Sequence, residues 1–220
     1  MRVNVLDKGF VELVDIMGDD NAIVSAARVS HLGKSKGAEK DAGLIKYLLE
    51  HQHTSPFEQV EFKFRVKCPI FIARQWMRHR TWNFNEVSRR YTSVDIDFHI
   101  PEHFRQQSEE NHQGSIDQYI KNEKELLEDL EKFSWLSLAM YSYYLDCGVC
   151  KEQARMLLPV NLYTMFYAKV DLHNLLHFLN VRNHPDAQYE MVLYANALEK
   201  FVKYVVPVTY SIWKGMKNEQ

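Results

Sequence analysis

Between Arg74 and Tyr91 the chain reads RQWMRHRTWNFNEVSRRY, which gathers Arg74, Arg78, Arg80, Arg89 and Arg90 around His79 and Glu86. The planar guanidinium fork makes two parallel charge-assisted hydrogen bonds, so this concentration suits the gripping of phosphate. Arg78 and Arg80 flank one histidine and repel each other, and a polyanionic ligand would relieve that repulsion. The bland reading is a salt-bridged surface face. Three more polar clusters stand out: His51 to Glu58 (HQHTSPFE), Arg155 within EQARMLLP, and His173, His177 and Arg182 within DLHNLLHFLNVRNH. His173 and His177 have the i, i+4 spacing of two zinc ligands on one helical turn. No Glu follows His173, so the HExxH pattern is missing and no metal site is expected. A nucleotide would have to be held by side chains and helix ends, because the sequence has neither a GxGxxG turn nor a Walker loop. Nucleophilic catalysis is also unsupported. There is no Ser-His-Asp pattern, and Cys147 and Cys150 form a CxxC at the Gly-terminated end of a helical stretch, where packing is the expected role.

These groups need elements to position them. Asp20 or Asn21 is the expected N-cap of a helix through AIVSAARVS, which follows a short strand or turn in VELVDIMG. In DAGLIKYLLEHQH the residues Leu44, Tyr47, Leu48 and Leu49 share a face. From Val60 to Cys68, alternation predicts a strand with Val60, Phe62, Phe64 and Val66 on one side and Glu61, Lys63, Arg65 and Lys67 on the other. Pro69 closes it, IFIARQWMRHR reads as a helix, and Asn83 to Tyr91 as a loop. A long amphipathic helix is predicted from Ile116 to Tyr144, acidic first and aromatic later. NLYTMFYAKVDLH has strand character and leads into the helix LHNLLHFLNVR. A last helical stretch runs from about Pro185, interrupted near Pro207.

At 220 residues, with no repeats or low-complexity linkers, one compact domain spanning 1–220 is the default. A formal net charge of −2 does not favour nucleic acid or an anionic membrane as partner. No apolar run is long enough to span a membrane, and the N-terminus lacks a signal peptide's apolar centre. Three cysteines argue against a disulfide framework and for a cytoplasmic location.

The run from Arg78 to Tyr91 closely resembles the RHRxxSxNExSxRY motif of flavin-dependent thymidylate synthases, with Asn83 where the motif has Ser. The resemblance extends through His51–Glu58, Arg74–Trp76, Ala154–Thr164 and Leu176–Arg182, and is weakest from about Asp95 to Gly148. It implies an α+β fold, an antiparallel sheet with surrounding helices. It also implies a homotetramer that converts dUMP to dTMP at sites shared between subunits. Methylenetetrahydrofolate would supply the carbon, FAD the redox chemistry and NADPH the reducing power. By position, Ser55, Arg78, His79, Arg80, Glu86, Asp171, Leu172, His173 and His177 correspond to FAD contacts, although the family often has Asn-Ala-Arg where this chain has Asp171-Leu172-His173. Gln75, Trp76, Met77 and Arg78, then Glu86, Val87, Ser88, Arg89 and Arg90, correspond to dUMP-binding segments, with Arg90 on the phosphate. Arg155 matches another dUMP-binding arginine. Arg182 matches the arginine that activates the uracil, the catalytic role.

Two other classes compete. A single-strand nucleic-acid binder would use the arginines of 74–91 with Trp76, Trp82 and Tyr91 as stacking platforms. A His-rich metal hydrolase would carry stoichiometric zinc.

Overall fold

The structure, a computed structural model, describes residues 1–91, 96–112 and 114–218. Its centre is a five-stranded sheet. Strands β1 (Arg2–Val5), β2 (Gly9–Met17), β3 (Glu61–Pro69), β4 (Asn83–Glu86) and β7 (Tyr163–Asp171) lie in the order β1-β2-β3-β7-β4, every neighbour antiparallel. Short strands β5 (Gln106–Gln107) and β6 (Ser115–Ile116) form a separate hairpin. The expected α+β class is therefore the observed one. Alternation places Phe62, Phe64 and Val66 of β3 beside Phe166, Ala168 and Val170 of β7 on a fully buried face. The C-terminal helices, α7 (Tyr189–Val205) and α8 (Pro207–Asn218), pack with this core, and Phe201 of α7 lies 5.7 Å from the Phe64 ring.

Several elements depart from expectation for local reasons. The cap of α1 (Asp20–Ala27) is Asp19, which accepts from the N–H groups of Asn21 (2.8 Å) and Ala22 (3.2 Å). Asp20 caps a different helix: its carboxylate accepts from Val208 N (2.9 Å), Thr209 N (2.9 Å) and Thr209 Oγ1 (2.6 Å) at the start of α8. That bridge joins segments nearly 190 residues apart, so Asp20→Ala is expected to cost about 1–2 kcal/mol, read as a lower urea midpoint with an unchanged slope. In α2 (Ala38–Glu50) the residues that turn inward are Ile45 and Leu48, while Tyr47 stays exposed. The long helix α4 begins at Glu123 and ends at Asp146; Ile116 belongs to β6. Gly148, at φ +87°, takes the left-handed turn that lets Val149 N–H reach the Tyr144 carbonyl (2.9 Å) and stops the helix. The packing expected of the CxxC pair fails: Cys147 and Cys150 are exposed, and only Cys68 is buried.

Candidate active site

Helix α3 (Ile70–Trp76) is shorter than the sequence suggests. Its first N–H groups donate to the carbonyls of Leu162 (2.9 Å, from Ile70) and Val160 (3.1 Å, from Phe71), which ties it to the approach to β7. After Trp76 the chain tightens: Arg78 N–H reaches Gln75 O (3.2 Å) and His79 N–H reaches Trp76 O (3.0 Å), so Arg78-His79-Arg80 sit on a turn. Buried tryptophans pin this turn on both sides. Trp76 packs against Trp82 (5.7 Å), Phe166 (5.6 Å), Phe178 (5.2 Å) and Tyr194 (6.0 Å). This packing removes two of the three platforms a single-strand binder would need, since Trp76 is 0% and Trp82 4% exposed. The segment expected to be a loop opens instead with β4, because Asn83–Glu86 finds an open edge on β7.

The turn holds one cluster of site residues. Arg182, at the end of α6 (Leu172–Arg182), donates from Nε to His79 Nε2 at 3.0 Å. His79 must therefore carry its own proton on Nδ1, the only ring nitrogen left to protonate. Its ring lies 4.7 Å from Phe178 and 6.3 Å from His177. Burial, then the charges of Arg182 and His177, push the His79 pKa down to about 4. Burial and the neighbouring Arg78 also lower the pKa of Arg182, although a guanidinium stays protonated at any physiological pH. Among the described residues no carboxylate forms an ion pair with Arg74, Arg78 or Arg80. Unpaired guanidiniums crowded at one turn fit the pyrophosphate of a dinucleotide cofactor such as a flavin.

A second cluster lies at the far end of β4, whose four residues span roughly 13 Å at about 3.3 Å each. Glu86 Oε1 accepts from Thr164 Oγ1 at 2.6 Å. Val87 N–H donates to Met165 O (2.9 Å), and the Ser88 hydroxyl accepts from Arg90 N–H (3.3 Å). Arg89 reaches the Tyr163 carbonyl (3.5 Å). Arg90 Nε stands 3.4 Å from Glu152 Oε2, and Arg155 Nε donates to the Glu152 carbonyl (3.2 Å). Thus Arg90, 65 positions from Arg155 in sequence, meets it through α5 (Lys151–Ala154).

The remaining predicted residues divide by exposure. Ser55 is exposed in the turn before Phe57, and a few residues further on Val60 O accepts from Leu172 N–H (2.8 Å) at the start of α6. His177 is exposed, Met77 and His173 are half-buried, and Asp171 serves as N-cap of α6, accepting from Asn174 N–H (2.9 Å). Trp76 and Leu172 are wholly buried, so their side chains belong to the core and only their backbone could meet a ligand. Gln75 donates from Nε2 to Gln188, which in turn donates to Glu190 (2.9 Å). Thr164, Glu152 and Gln188 escape sequence reading because each acts on its partner across 62 to 113 positions with no local pattern. Two cavities among the described residues, of about 610 and 760 Å³, are lined by none of the arginines above. The nucleophile question has a clear answer at Cys68: burial, reinforced by the Glu86 charge, raises its thiol pKa well above the ordinary range, so it stays protonated.

An antiparallel α+β chain that gathers guanidiniums at two points, the first of them beside a neutral imidazole, belongs to the class that binds phosphorylated anions. Residues 12–208 match the family described as thymidylate synthase complementing protein. The chain is 50% identical over 214 residues to a flavin-dependent thymidylate synthase of Thermus thermophilus, covering 97% of this chain and 78% of that one. It is 48% identical over 210 residues to the enzyme of the same name from Ehrlichia ruminantium, covering 94% and 71%. A solved UMP/dUMP methylase, PolB from Streptomyces cacaoi bound with 5-Br dUMP, superposes with a TM-score of 0.87 at 32% identity over 97% of both chains. The chain belongs to the flavin-dependent thymidylate synthase family.

Proposed function

We infer that the protein is a methyltransferase that forms dTMP from dUMP with a flavin, FAD, as redox cofactor. The carbon donor is methylenetetrahydrofolate and the reductant NADPH. The observation that carries this reading is Arg182, whose guanidinium is fixed through Nε to a neutral His79 and keeps four N–H groups for a ligand. A permanent cation beside the pyrimidine stabilises the negative charge that develops when uracil is activated. FAD, when bound, supplies the hydride that completes the methyl group. Arg78 and Arg80, lacking acidic partners, would hold its pyrophosphate, with Ser55, Asp171 and His177 as further contacts. Arg90 and Arg155 would hold the dUMP phosphate. Glu86 and Gln75 would orient the nucleotide.

The same reading includes a homotetramer with shared sites and a single domain over 1–220. Support comes from α4, which buries Ser134, Ser137 and Tyr141 while exposing Phe133 (59%), Leu136 (60%), Met140 and Tyr143. A helix that buries serines and shows its apolar stripe to water is lacking a partner surface. A second copy of this chain is the partner proposed. Leu136→Glu is accordingly expected to reduce the assembly to dimers or monomers, with the smaller mass visible by light scattering. Among the described residues no helix is long and apolar enough to cross a membrane; a cytoplasmic location is supported by the free cysteines.

Purified protein is expected to be yellow, with a flavin spectrum, and to oxidise reduced flavin only when dUMP is present. Colourless protein that FAD cannot reconstitute would sink the reading. Tight oligonucleotide binding that mononucleotides fail to compete would favour the nucleic-acid class instead.

A further inference from the structure

We propose that Thr164 is a positioning residue of the nucleotide site, acting through Glu86; the proposal rests on the function inferred above. Glu86 ends an edge strand and is exposed, and its residue neighbours Arg89 and Arg90 do not take its carboxylate: Arg89 reaches the Tyr163 carbonyl and Arg90 turns to Glu152. No salt bridge to Glu86 occurs among the described residues. What holds it is a neutral group. Thr164 Oγ1 donates to Oε1 at 2.6 Å, the short contact of a hydroxyl with an ionised carboxylate.

Thr164 is suited to that role by its place in the sheet. It is 5% exposed, lies on β7 opposite Cys68 of β3, and carries the single proton that a hydroxyl can give. A β-branched side chain packed on a strand has little rotamer freedom, so the donor's position is set by the core. A glutamate on an exposed edge would otherwise sample several rotamers. A guanidinium partner would fix it too, but would also satisfy its charge. The hydroxyl orients Glu86 and leaves Oε2 fully able to accept from an N–H or O–H of the bound nucleotide.

The test is a mutant cycle on the holoenzyme, reading the flavin spectrum, kcat and the KM for dUMP. Thr164→Val, which keeps the shape and removes the hydroxyl, is expected to raise the dUMP KM about tenfold, the size of one hydrogen bond to a charged group, with a smaller change in kcat and normal flavin content. Thr164→Ser should restore the KM. On a Glu86→Ala background, Thr164→Val should add nothing. A wild-type KM in Thr164→Val, or an equal rise with and without Glu86, would overturn the proposal, since the hydroxyl would then act elsewhere or only in packing. If Thr164→Val does not fold, the same cycle run with Thr164→Ser decides: a KM shift larger than twofold would show that the methyl, not the hydroxyl, is what the site needs. Wild-type protein unable to form dTMP would overturn the functional reading and this proposal with it, so the two failures are told apart.

Discussion

Arg182→Ala is expected to lower the rate of dTMP formation by about two to three orders of magnitude, the usual effect of deleting one preorganised charge donor, while the flavin stays bound. The separation follows from geometry. Arg78 and Arg80, the residues proposed for the flavin pyrophosphate, sit on the turn after α3, whereas Arg182 enters from the end of α6 and meets that turn through His79. Removing it leaves the turn anchored by Trp76 and Trp82. Arg182→Lys should recover little, because an ammonium cannot present the planar fork. The pH dependence has a definite sign. The His79 pKa is depressed to about 4, so the imidazole remains a neutral acceptor for Arg182 throughout the neutral range. Between about pH 4 and 6.5 the folded protein binds fewer protons at His79 than the unfolded chain does, so this contribution to stability is present above the ordinary histidine pKa and is lost as pH falls towards 4. Turnover should therefore show no loss attributable to His79 between pH 7 and 8. Stopped-flow or steady-state assay of the variant checks the main expectation, and near-normal turnover would refute the role of Arg182.

How much of this was legible in the sequence depends on the range of the forces involved. Strand β3 could be read because its alternation is a local record of one buried face, and all four inward residues from Val60 to Val66 are at 0% exposure. The concentration of arginines could be read directly, because charge is a property of the residues themselves. Strand β4 could not, because Asn83–Glu86 has no strand pattern of its own and is extended only by pairing with β7, some eighty residues downstream. The cap exchange between Asp19 and Asp20 is a similar case: adjacent identical residues serve different helices, and only the position of α8 separates them. Within the site, residue types were visible and partnerships were not. Nothing near Arg182 announces His79 as its acceptor, and nothing near Glu86 announces Thr164. The predicted residues also prove less continuous than the segment that carries them, since β4 sets the Arg78–Arg80 turn apart from the Arg90 end.

That separation leads to the second large effect. Arg90→Ala is expected to weaken dUMP binding by about 1.5–3 kcal/mol, roughly ten- to hundredfold. Arg90 Nε stands 3.4 Å from Glu152, but the side chains are 50% and 62% exposed. An ion pair so open to water contributes about 0–1 kcal/mol, so a phosphate that can take two parallel hydrogen bonds displaces Glu152 at small cost. The Glu152 carbonyl meanwhile accepts from Arg155 Nε, so both arginines converge on one residue. Two further outcomes distinguish this from a general loss of charge. Arg90→Lys should recover only part of the affinity, since a point charge cannot match the bidentate fork. Glu152→Gln, which weakens the competitor but keeps its backbone carbonyl, should leave dUMP affinity equal or slightly higher. Isothermal titration of the flavin-loaded protein with dUMP measures all three, and an unchanged affinity in Arg90→Ala would place the phosphate elsewhere.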